Sequence, residues 1–132
     1  MKGKILVTGG AGFIGSNLVN SLLCEGRHVT IFDALLRRGT EHNLAWLKKQ
    51  HPGRLRFIRG DVRDFDTVQS VVADAEVIYH LAGQVAVTTS IEEPRTDHEI
   101  NSLGTFNILE AARMRGHKPV IVFTSKIGRA HV

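Results

Sequence analysis

The sequence has little cysteine, proline or aromatic content. Its 132 residues include one cysteine and three prolines, and aromatic residues make up 6%. Because one thiol cannot form an internal disulfide, the chain is not a small disulfide-stabilised scaffold. Cys24 falls in a helical pattern beside Leu22 and Leu23, so we expect it to be a buried structural thiol.

Long hydrophobic runs are also missing. Apolar runs such as Val120–Phe123 are far shorter than the roughly 18 residues that a membrane-spanning helix requires. The charged start at Met1–Lys4 is not followed by a long apolar region with a small-residue cleavage site, so Lys4–Thr8 is predicted to be a first β-strand. We therefore expect a cytoplasmic protein without a membrane partner.

The net charge of +4 comes from basic residues that are scattered in small groups. No run reaches five basic residues, and few aromatic rings are available to stack on bases. We therefore interpret the charge as ordinary solvated surface and expect no nucleic-acid partner. No histidine has a second ligand at metal-binding spacing, so we also predict no metal site.

Strand-like and helix-like patterns alternate along the whole chain. The predicted strands are Lys4–Thr8, His28–Phe32, Leu55–Ile58, Val77–His80 and Val120–Thr124, and the predicted helices are Phe13–Cys24, Glu41–Gln50, Phe65–Val72 and Thr96–Arg115. Strands this apolar favour a parallel sheet that is covered by helices on both faces. With right-handed crossovers, the pattern predicts an α/β fold with a Rossmann-type doubly wound parallel sheet in the order 3-2-1-4-5, truncated after about five strands.

A glycine-rich turn, Thr8–Gly15, lies where the first predicted strand meets the first predicted helix. Gly9 permits backbone angles that are closed to other residues, Gly12 lets the main chain approach a pyrophosphate, and Gly15 lets the helix pack close to the strand. The helix N-terminus then offers free N–H groups and a partial positive charge. This position predicts a dinucleotide site; a purely structural turn is the alternative.

An acidic residue, Asp33, ends the second predicted strand, 18 residues after Gly15. In dinucleotide-binding folds an acidic side chain about 20 residues past the glycines meets the adenosine ribose. A carboxylate there accepts hydrogen bonds from the ribose hydroxyls and repels a 2′-phosphate, which favours NAD over NADP. Arg37 and Arg38 leave NADP open, because a guanidinium could instead meet a 2′-phosphate.

Two further segments follow strands at the predicted ligand-binding edge of the sheet. Asp61 and Val62 follow the third strand, where Asp61 would either bond the adenine amino group or cap a helix. Leu81–Gly83 follow the fourth strand, and small residues there would let a dinucleotide lie across the sheet edge. Beyond them, Gln84 and the hydroxyls of Thr88–Ser90 would face the nicotinamide side, or form a loop that bonds to itself.

His80 precedes this turn on a buried predicted strand. We interpret it as a core residue with satisfied hydrogen bonds rather than as a catalyst.

Taken together, several motifs resemble an extended short-chain dehydrogenase/reductase of the NAD-dependent epimerase/dehydratase family. They are Thr8–Gly15, Asp33, Gly60–Val62, His80–Gly83 and Asn101–Thr105, and the resemblance covers the chain up to Ser125. Within the family, the stretches Arg37–Leu44, Trp46–Leu47 and His80–Ile91 resemble the CDP-paratose (CDP-tyvelose) 2-epimerase branch.

The resemblance implies a bound NAD, with Phe13 and Ile14 giving N–H groups to its pyrophosphate. The candidate cofactor-binding residues are Gly9, Gly12, Phe13, Ile14, Gly15, Asp33, Arg38, Asp61, Val62, Leu81, Ala82, Gly83, Gln84 and Thr124. It also implies a nucleotide-sugar substrate and a homo-oligomeric parent enzyme. In the 2-epimerases, hydride leaves the sugar C2 to give a transient ketone and returns to the opposite face, with a tyrosine as general base assisted by a lysine and a serine or threonine.

Those reactive groups are missing from this sequence. The chain has one tyrosine, Tyr79, and Gly83 stands four residues later in place of the lysine of a Tyr-x-x-x-Lys motif. Lys126 occupies the position of the family's catalytic serine or threonine, three residues after Phe123. We therefore assign no catalytic residue in this chain and predict that it is inactive by itself.

We expect residues 1–125 to form an incomplete NAD-binding Rossmann domain and the C-terminal substrate domain to be absent. Residues 126–132 resemble no continuation of the family and match one translation of a common sequencing adapter, ATC GGA AGA GCA CAC GTC. We interpret them as a non-native tail produced by a sequencing artefact.

The function that these motifs predict is the NAD-binding part of a nucleotide-sugar epimerase. A fragment of a UDP-sugar 4-epimerase or of a nucleotide-sugar 4,6-dehydratase is the near alternative. A non-catalytic NAD-binding regulatory module is the alternative from another class. A flavin-binding Rossmann domain is disfavoured by the spacing of the segments downstream of the glycine turn.

Overall fold

The computed structural model describes residues 4–83 and 87–125. The strands are β1 (Ile5–Thr8), β2 (Val29–Asp33), β3 (Leu55–Arg59), β4 (Val77–His80) and β5 (Val120–Phe123). The helices are α1 (Phe13–Cys24), α2 (Thr40–Gln50), α3 (Phe65–Val72), α4 (Val87–Glu92), α5 (Pro94–His98) and α6 (Gly104–Met114), with a π-helical segment, Glu99–Leu103, joining α5 to α6. Gln84 and the tail 126–132 lie outside the described residues.

The five strands form one parallel sheet in the order β3-β2-β1-β4-β5, which confirms the predicted topology. In the central strand, Ile5 pairs with Val29 of β2 on one side and with Val77 of β4 on the other. Because every pair is parallel, the carboxyl ends of all five strands lie at one edge of the sheet. The order reverses around β1, so the ends of β1, β2 and β4 meet at the point where open α/β sheets bind ligands.

A separate hydrophobic core lies on each face of the sheet, because successive side chains of a strand point to opposite faces. On one face α3 and α6 pack against β1, and Leu6 and Ile108 belong to this core. On the other face α1 and α2 pack against β1, where Val7, Leu23 and Leu47 are fully buried. Burial on both faces explains why β1 has no polar alternation.

The predicted helix Thr96–Arg115 is interrupted in the structure. Helical structure begins at Pro94, which stands in the first turn of α5, where its missing N–H costs nothing. The π-helical segment then adds a wider turn before α6 begins at Gly104. Such segments occur often at functional sites, and this one brings Ile100 to the ligand-binding edge of the sheet.

The alternative prediction that Thr88–Ser90 form a loop is wrong, because these residues lie within helix α4. Ser90 donates its hydroxyl hydrogen to Oδ1 of Asp97 on α5, at 2.7 Å, and so joins the two short helices. The hydroxyl cluster is therefore part of a helical pair rather than a loop that bonds only to itself.

The prediction of a buried thiol is also wrong, because Cys24 is exposed. Cys24 is the last residue of α1, and the buried face of that helix is formed by Val19, Leu22 and Leu23 among others. One residue further along a helix turns about 100° away from Leu23, which carries the thiol off this face. In the described part of the chain, no helix has the length and apolar character needed to cross a membrane.

Candidate dinucleotide-binding site

A cleft of about 310 Å³ opens at the carboxyl edge of the sheet, around the end of β1. Twelve of the fourteen predicted cofactor residues line it: Gly9, Gly12, Phe13, Ile14, Gly15, Asp33, Asp61, Val62, Leu81, Ala82, Gly83 and Thr124. Gln84 lies outside the described residues. Arg38 does not line the cleft, and its neighbour Arg37 does.

The glycine turn brings three segments of main chain into close contact. Gly9 adopts a positive φ of 69° and donates its N–H to the Phe32 carbonyl of β2 at 2.9 Å. A Cβ on Gly9 would lie 2.8 Å from the Ala82 nitrogen, and a Cβ on Gly15 would lie 2.1 Å from the Gly9 carbonyl oxygen. Both distances are far inside van der Waals contact, so glycine is required for α1 and the β4 end to approach the turn.

The N-terminus of α1 faces the cleft without a side-chain cap. Gly12 stands at the N-cap and cannot bond the first turn, and no acidic residue lies in that turn. The first N–H groups of a helix have no partner within the helix and carry a partial positive charge. Phe13 and Ile14 begin this turn and line the cleft. The turn therefore presents N–H donors that suit a bound phosphate group.

Asp33 is held at the end of β2 by two main-chain N–H groups. Its Oδ2 accepts a hydrogen bond from Ala11 of the glycine turn at 3.0 Å, and its Oδ1 accepts one from Leu35 at 2.8 Å. A carboxylate has about four acceptor sites, so each oxygen keeps one for a ligand. The two bonds fix the direction of the carboxylate, which lies in the cleft wall.

Arg37, and not Arg38, lines the cleft, and the chain bends shortly before it. Leu35 adopts a positive φ of 56°, a conformation that few residues other than glycine take. Arg37 and Asp33 both line the cleft, so a positive and a negative side chain lie in its wall.

Asp61 forms a two-pronged ion pair with Arg63 at the wall next to β3. The Arg63 Nη2 lies 2.7 Å from Oδ2 of Asp61, and its Nε lies 3.0 Å from Oδ1. This hydrogen bonding lowers the pKa of the Asp61 carboxyl, so it is ionised at neutral pH. The alternative helix-cap role is wrong, because Asp64 caps α3 by accepting a bond from the Thr67 N–H at 3.4 Å.

His80 is buried at the end of β4 with both ring nitrogens bonded. Its Nδ1 lies 2.7 Å from the Thr8 hydroxyl, and its Nε2 lies 3.0 Å from the Thr105 hydroxyl. Burial lowers the pKa of His80 to about 4, so the ring is neutral at pH 7. The prediction of a satisfied core histidine is confirmed.

Several residues that line the cleft are not among the fourteen predicted cofactor residues. They are Phe32, Ala34, Leu36, Arg37, Thr40, Gly60 and Ile100. Most of them are neighbours in sequence of a predicted residue. Gly60 could have been included from the sequence, because it precedes Asp61 directly after a strand. A Cβ on Gly60 would lie 2.3 Å from the Phe32 ring. Ile100 had no such signal, since its place depends on the π-helical segment.

The described residues contain no group of three or more histidine, cysteine, aspartate or glutamate side chains that could hold a metal ion. Tyr79 packs against the hydrophobic core beside α1 and α2 and is not among the residues that line the cleft.

One family model, described as GDP-mannose 4,6-dehydratase, matches residues 6–126. The chain is 43% identical to CDP-paratose 2-epimerase of Salmonella typhi over 124 residues, which cover 92% of this chain and 36% of the relative. It is 37% identical to dTDP-glucose 4,6-dehydratase of Mycobacterium tuberculosis over 115 residues, which cover 86% of this chain and 34% of that relative. The chain therefore spans about a third of the length of these curated relatives.

The fold also matches a solved structure with a bound cofactor. The crystal structure of UDP-glucose 4-epimerase from Thermus thermophilus, in complex with NAD, superposes with a TM-score of 0.72 at 39% identity. The match covers 83% of this chain and 33% of that one.

Proposed function

Because the chain belongs to the GDP-mannose 4,6-dehydratase family, we propose that it is the NAD-binding part of an NAD-dependent nucleotide-sugar epimerase similar to CDP-paratose 2-epimerase. The observation that carries this proposal is the cleft itself. It combines an uncapped helix N-terminus, a carboxylate oriented by two N–H groups and small residues at the end of β4. These are the groups that a dinucleotide requires.

Each part of the cleft has a separate task in binding NAD. The N–H groups of Phe13 and Ile14 bind the pyrophosphate, and Asp33 accepts hydrogen bonds from the adenosine ribose. Asp61 and Val62 flank the adenine at the other side of β2. Leu81, the first residue after β4, begins the wall along which Ala82, Gly83 and Gln84 lead toward the nicotinamide, and Thr124 closes this side at the end of β5.

The oriented Asp33 carboxylate favours NAD over NADP. A 2′-phosphate would come close to a carboxylate whose direction is set by Ala11 and Leu35, and the like charges would repel. Arg37 lies in the same wall and weakens this repulsion without removing it. We propose that Arg38 borders the adenosine end of the cleft without lining it.

When bound, NAD would supply the hydride acceptor for oxidation of a sugar carbon and, once reduced, the hydride donor for its re-reduction from the other face. The described residues bind and orient this cofactor, but they contain no group placed to move a proton at the sugar. Tyr79 is packed against the core, and Gly83 stands where a Tyr-x-x-x-Lys motif would have its lysine. We therefore propose that the 132-residue chain binds NAD at most weakly and turns over no nucleotide sugar.

Two related activities and one unrelated role remain as alternatives. The relative named dTDP-glucose 4,6-dehydratase and the structural neighbour named UDP-glucose 4-epimerase share this domain. A non-catalytic NAD-binding regulatory module would have the same cleft. The identity to CDP-paratose 2-epimerase, 43% over 124 residues against 37% over 115 residues for the dehydratase, favours the 2-epimerase.

The parent enzyme is proposed to be a cytoplasmic homo-oligomer that acts on a nucleotide sugar. An exposed apolar stripe, formed by Leu103 at the end of the π-helical segment and by Phe106 and Leu109 of α6, supports an assembly in which another protein surface covers these helices.

The proposal is tested by recovering the full reading frame from the source DNA and purifying the encoded protein. We expect it to interconvert CDP-paratose and CDP-tyvelose with NAD retained, measured by chromatography of the CDP-sugars. UDP-glucose and dTDP-glucose serve as the substrates of the two alternative activities. Turnover of either one in preference to the CDP-sugar would replace the 2-epimerase assignment, and turnover of none would favour the regulatory module.

A second arm uses the 132-residue chain under the same conditions. We expect no turnover of any of the three nucleotide sugars. Measurable epimerisation by this chain would contradict the absence of a catalytic residue.

A further inference from the structure

A chain of hydrogen bonds with a fixed direction runs beneath the proposed cofactor cleft. It begins at the Thr8 hydroxyl, which lies 3.1 Å from the N–H nitrogens of both Leu81 and Ala82 and 2.7 Å from His80 Nδ1. A hydroxyl has two lone pairs and one hydrogen. The Ala82 N–H occupies one lone pair, and the Leu81 N–H is shared between the second and the Thr8 carbonyl oxygen, also at 3.1 Å, so the hydroxyl hydrogen is available for Nδ1.

The direction continues through the histidine ring. Because Nδ1 accepts from Thr8, a neutral His80 carries its hydrogen on Nε2 and donates it to the Thr105 hydroxyl at 3.0 Å. Thr105 in turn donates to the carbonyl oxygen of Asn101 at 2.6 Å. Because the Thr105 hydrogen goes to a carbonyl, the Thr105 oxygen can only accept from Nε2, and burial, which lowers the pKa of His80 to about 4, keeps the ring in this neutral Nε2–H form.

Both ends of this chain of hydrogen bonds contact segments that line the cleft. Leu81 and Ala82 line it at the end of β4, where a Cβ on Gly9 would lie 2.8 Å from the Ala82 nitrogen. The Asn101 carbonyl belongs to the π-helical segment, whose Ile100 also lines the cleft. A side-chain hydroxyl that bonds a carbonyl four residues earlier also distorts a helix, and Thr105 does so here.

We propose that His80 is a positioning residue for the cofactor: it fixes the Leu81–Ala82 main chain against the glycine turn through Thr8, and ties that wall to the π-helical segment through Thr105. The proposal rests on the proposed function, since the positioned walls are those of the NAD cleft. His80 itself lies below the wall and is not among the residues that line it.

A first test reads the ring directly and needs no cofactor. In ¹⁵N NMR spectra of the 132-residue chain near neutral pH, the His80 ring should show a protonated Nε2 and an unprotonated Nδ1. The resonances are assigned by their loss in the His80→Asn variant. A protonated Nδ1, or the tautomer mixture typical of exposed histidines, would overturn the proposal.

A second test separates positioning from packing through three substitutions. His80→Asn keeps an acceptor near the Nδ1 position for Thr8, His80→Gln keeps a donor near the Nε2 position for Thr105, and His80→Phe keeps only the ring volume. We expect amide hydrogen exchange at Ala82, whose N–H bonds the Thr8 hydroxyl, to stay near wild type in the Asn variant and to accelerate about tenfold or more in the other two. A role in packing alone predicts the reverse order, with Phe best tolerated, and that result would refute positioning.

The affinity for NAD, measured by NMR titration, should follow the same order. We expect the Asn variant to stay within about threefold of wild type and the Gln variant to bind about tenfold more weakly. The matched control is His51→Asn, because His51 bonds Asn20 at 2.7 Å outside the cleft and should leave the affinity unchanged. If the His80→Phe variant does not fold, the comparison of the Asn and Gln variants still tests whether affinity depends on the Thr8 hydrogen bond.

The outcomes distinguish this inference from the proposed function. Wild-type NAD binding with equal affinities in the Asn and Gln variants would overturn positioning and leave the NAD site intact. Failure of the wild-type chain to bind NAD at all would overturn the NAD site, and cofactor positioning with it, whatever the ring tautomer.

Discussion

At the residue scale, the cleft depends on positions where a single added carbon would not fit. Gly15 is the clearest of them, because a Cβ there would lie 2.1 Å from the Gly9 carbonyl oxygen. The obstacle is main chain, so it cannot rotate away as the tip of a side chain could. The glycine requirement was predictable from the sequence, since the position of Gly15 after a strand already indicated close packing of helix and turn.

Gly15→Ala should push α1 away from the glycine turn. We expect the free energy of unfolding to fall by about 1–3 kcal/mol and NAD binding to be lost, because the helix N-terminus no longer faces the pyrophosphate. Denaturant unfolding and NMR titration measure the two effects. The control is Gly116→Ala, where an added Cβ meets nothing within 4 Å. Equal behaviour of the two variants would contradict the close-packing argument.

His80 should make the stability of the chain depend on pH. Its pKa is lowered by burial from 6.5 to about 4, so the unfolded chain binds a proton that the folded chain excludes. Stability is therefore full above about pH 6.5 and declines as the pH falls toward 4, by about 3 kcal/mol at most. The difference in unfolding free energy between wild type and His80→Asn isolates this effect. A difference that does not change across this range would show that the ring is not held neutral.

At the element scale, the succession of strands and helices could be predicted, but the interruption before α6 could not. Apolar spacing identifies a helix without showing which carbonyl each N–H will bond. That choice is made by packing: a Cβ on Gly104 would lie 2.6 Å from a methyl group of Val62, so α6 sits directly on the segment after β3. Arg37 was likewise not distinguishable from Arg38, because both lie between β2 and α2, where no helix or strand period sets the side-chain directions.

Asn107 joins α6 to the cleft wall at Val62. Its buried side chain donates a hydrogen bond to the Val62 carbonyl at 2.8 Å. Asn107→Ala leaves that carbonyl without its donor, so we expect a loss of about 1–3 kcal/mol in the free energy of unfolding. Asn17→Ala is the control, since Asn17 donates to the Phe13 carbonyl at an exposed site and should cost less than about 0.5 kcal/mol. Equal losses of unfolding free energy in the two variants would contradict the burial of the Asn107 side chain.

At the scale of the whole molecule, the sheet has apolar surface at its β5 edge. Val120 is 61% exposed and Phe123 is 66% exposed, and Phe106 on the neighbouring helix α6 is 58% exposed. In the described part of the chain, β5 pairs with β4 alone. An uncovered apolar edge strand is a site for pairing with other chains.

The 132-residue chain should therefore self-associate at its β5 edge. Val120→Lys places a charge on this strand and should shift the chain toward monomer, measured by sedimentation velocity over a range of concentrations. Trp46→Lys adds the same charge to α2, away from the edge, and should leave the association unchanged. Equal shifts in both variants would indicate a general effect of charge instead of edge pairing.

The central claim is that the cleft at the end of β1 is an NAD site, and an NMR titration of the ¹⁵N-labelled chain with NAD and with NADP tests it directly. We predict weak binding of NAD, with shifts concentrated at Gly12–Gly15, Asp33 and Leu81–Gly83, and weaker binding of NADP. Shifts confined to other surfaces, or none at NAD concentrations in the millimolar range, would contradict it.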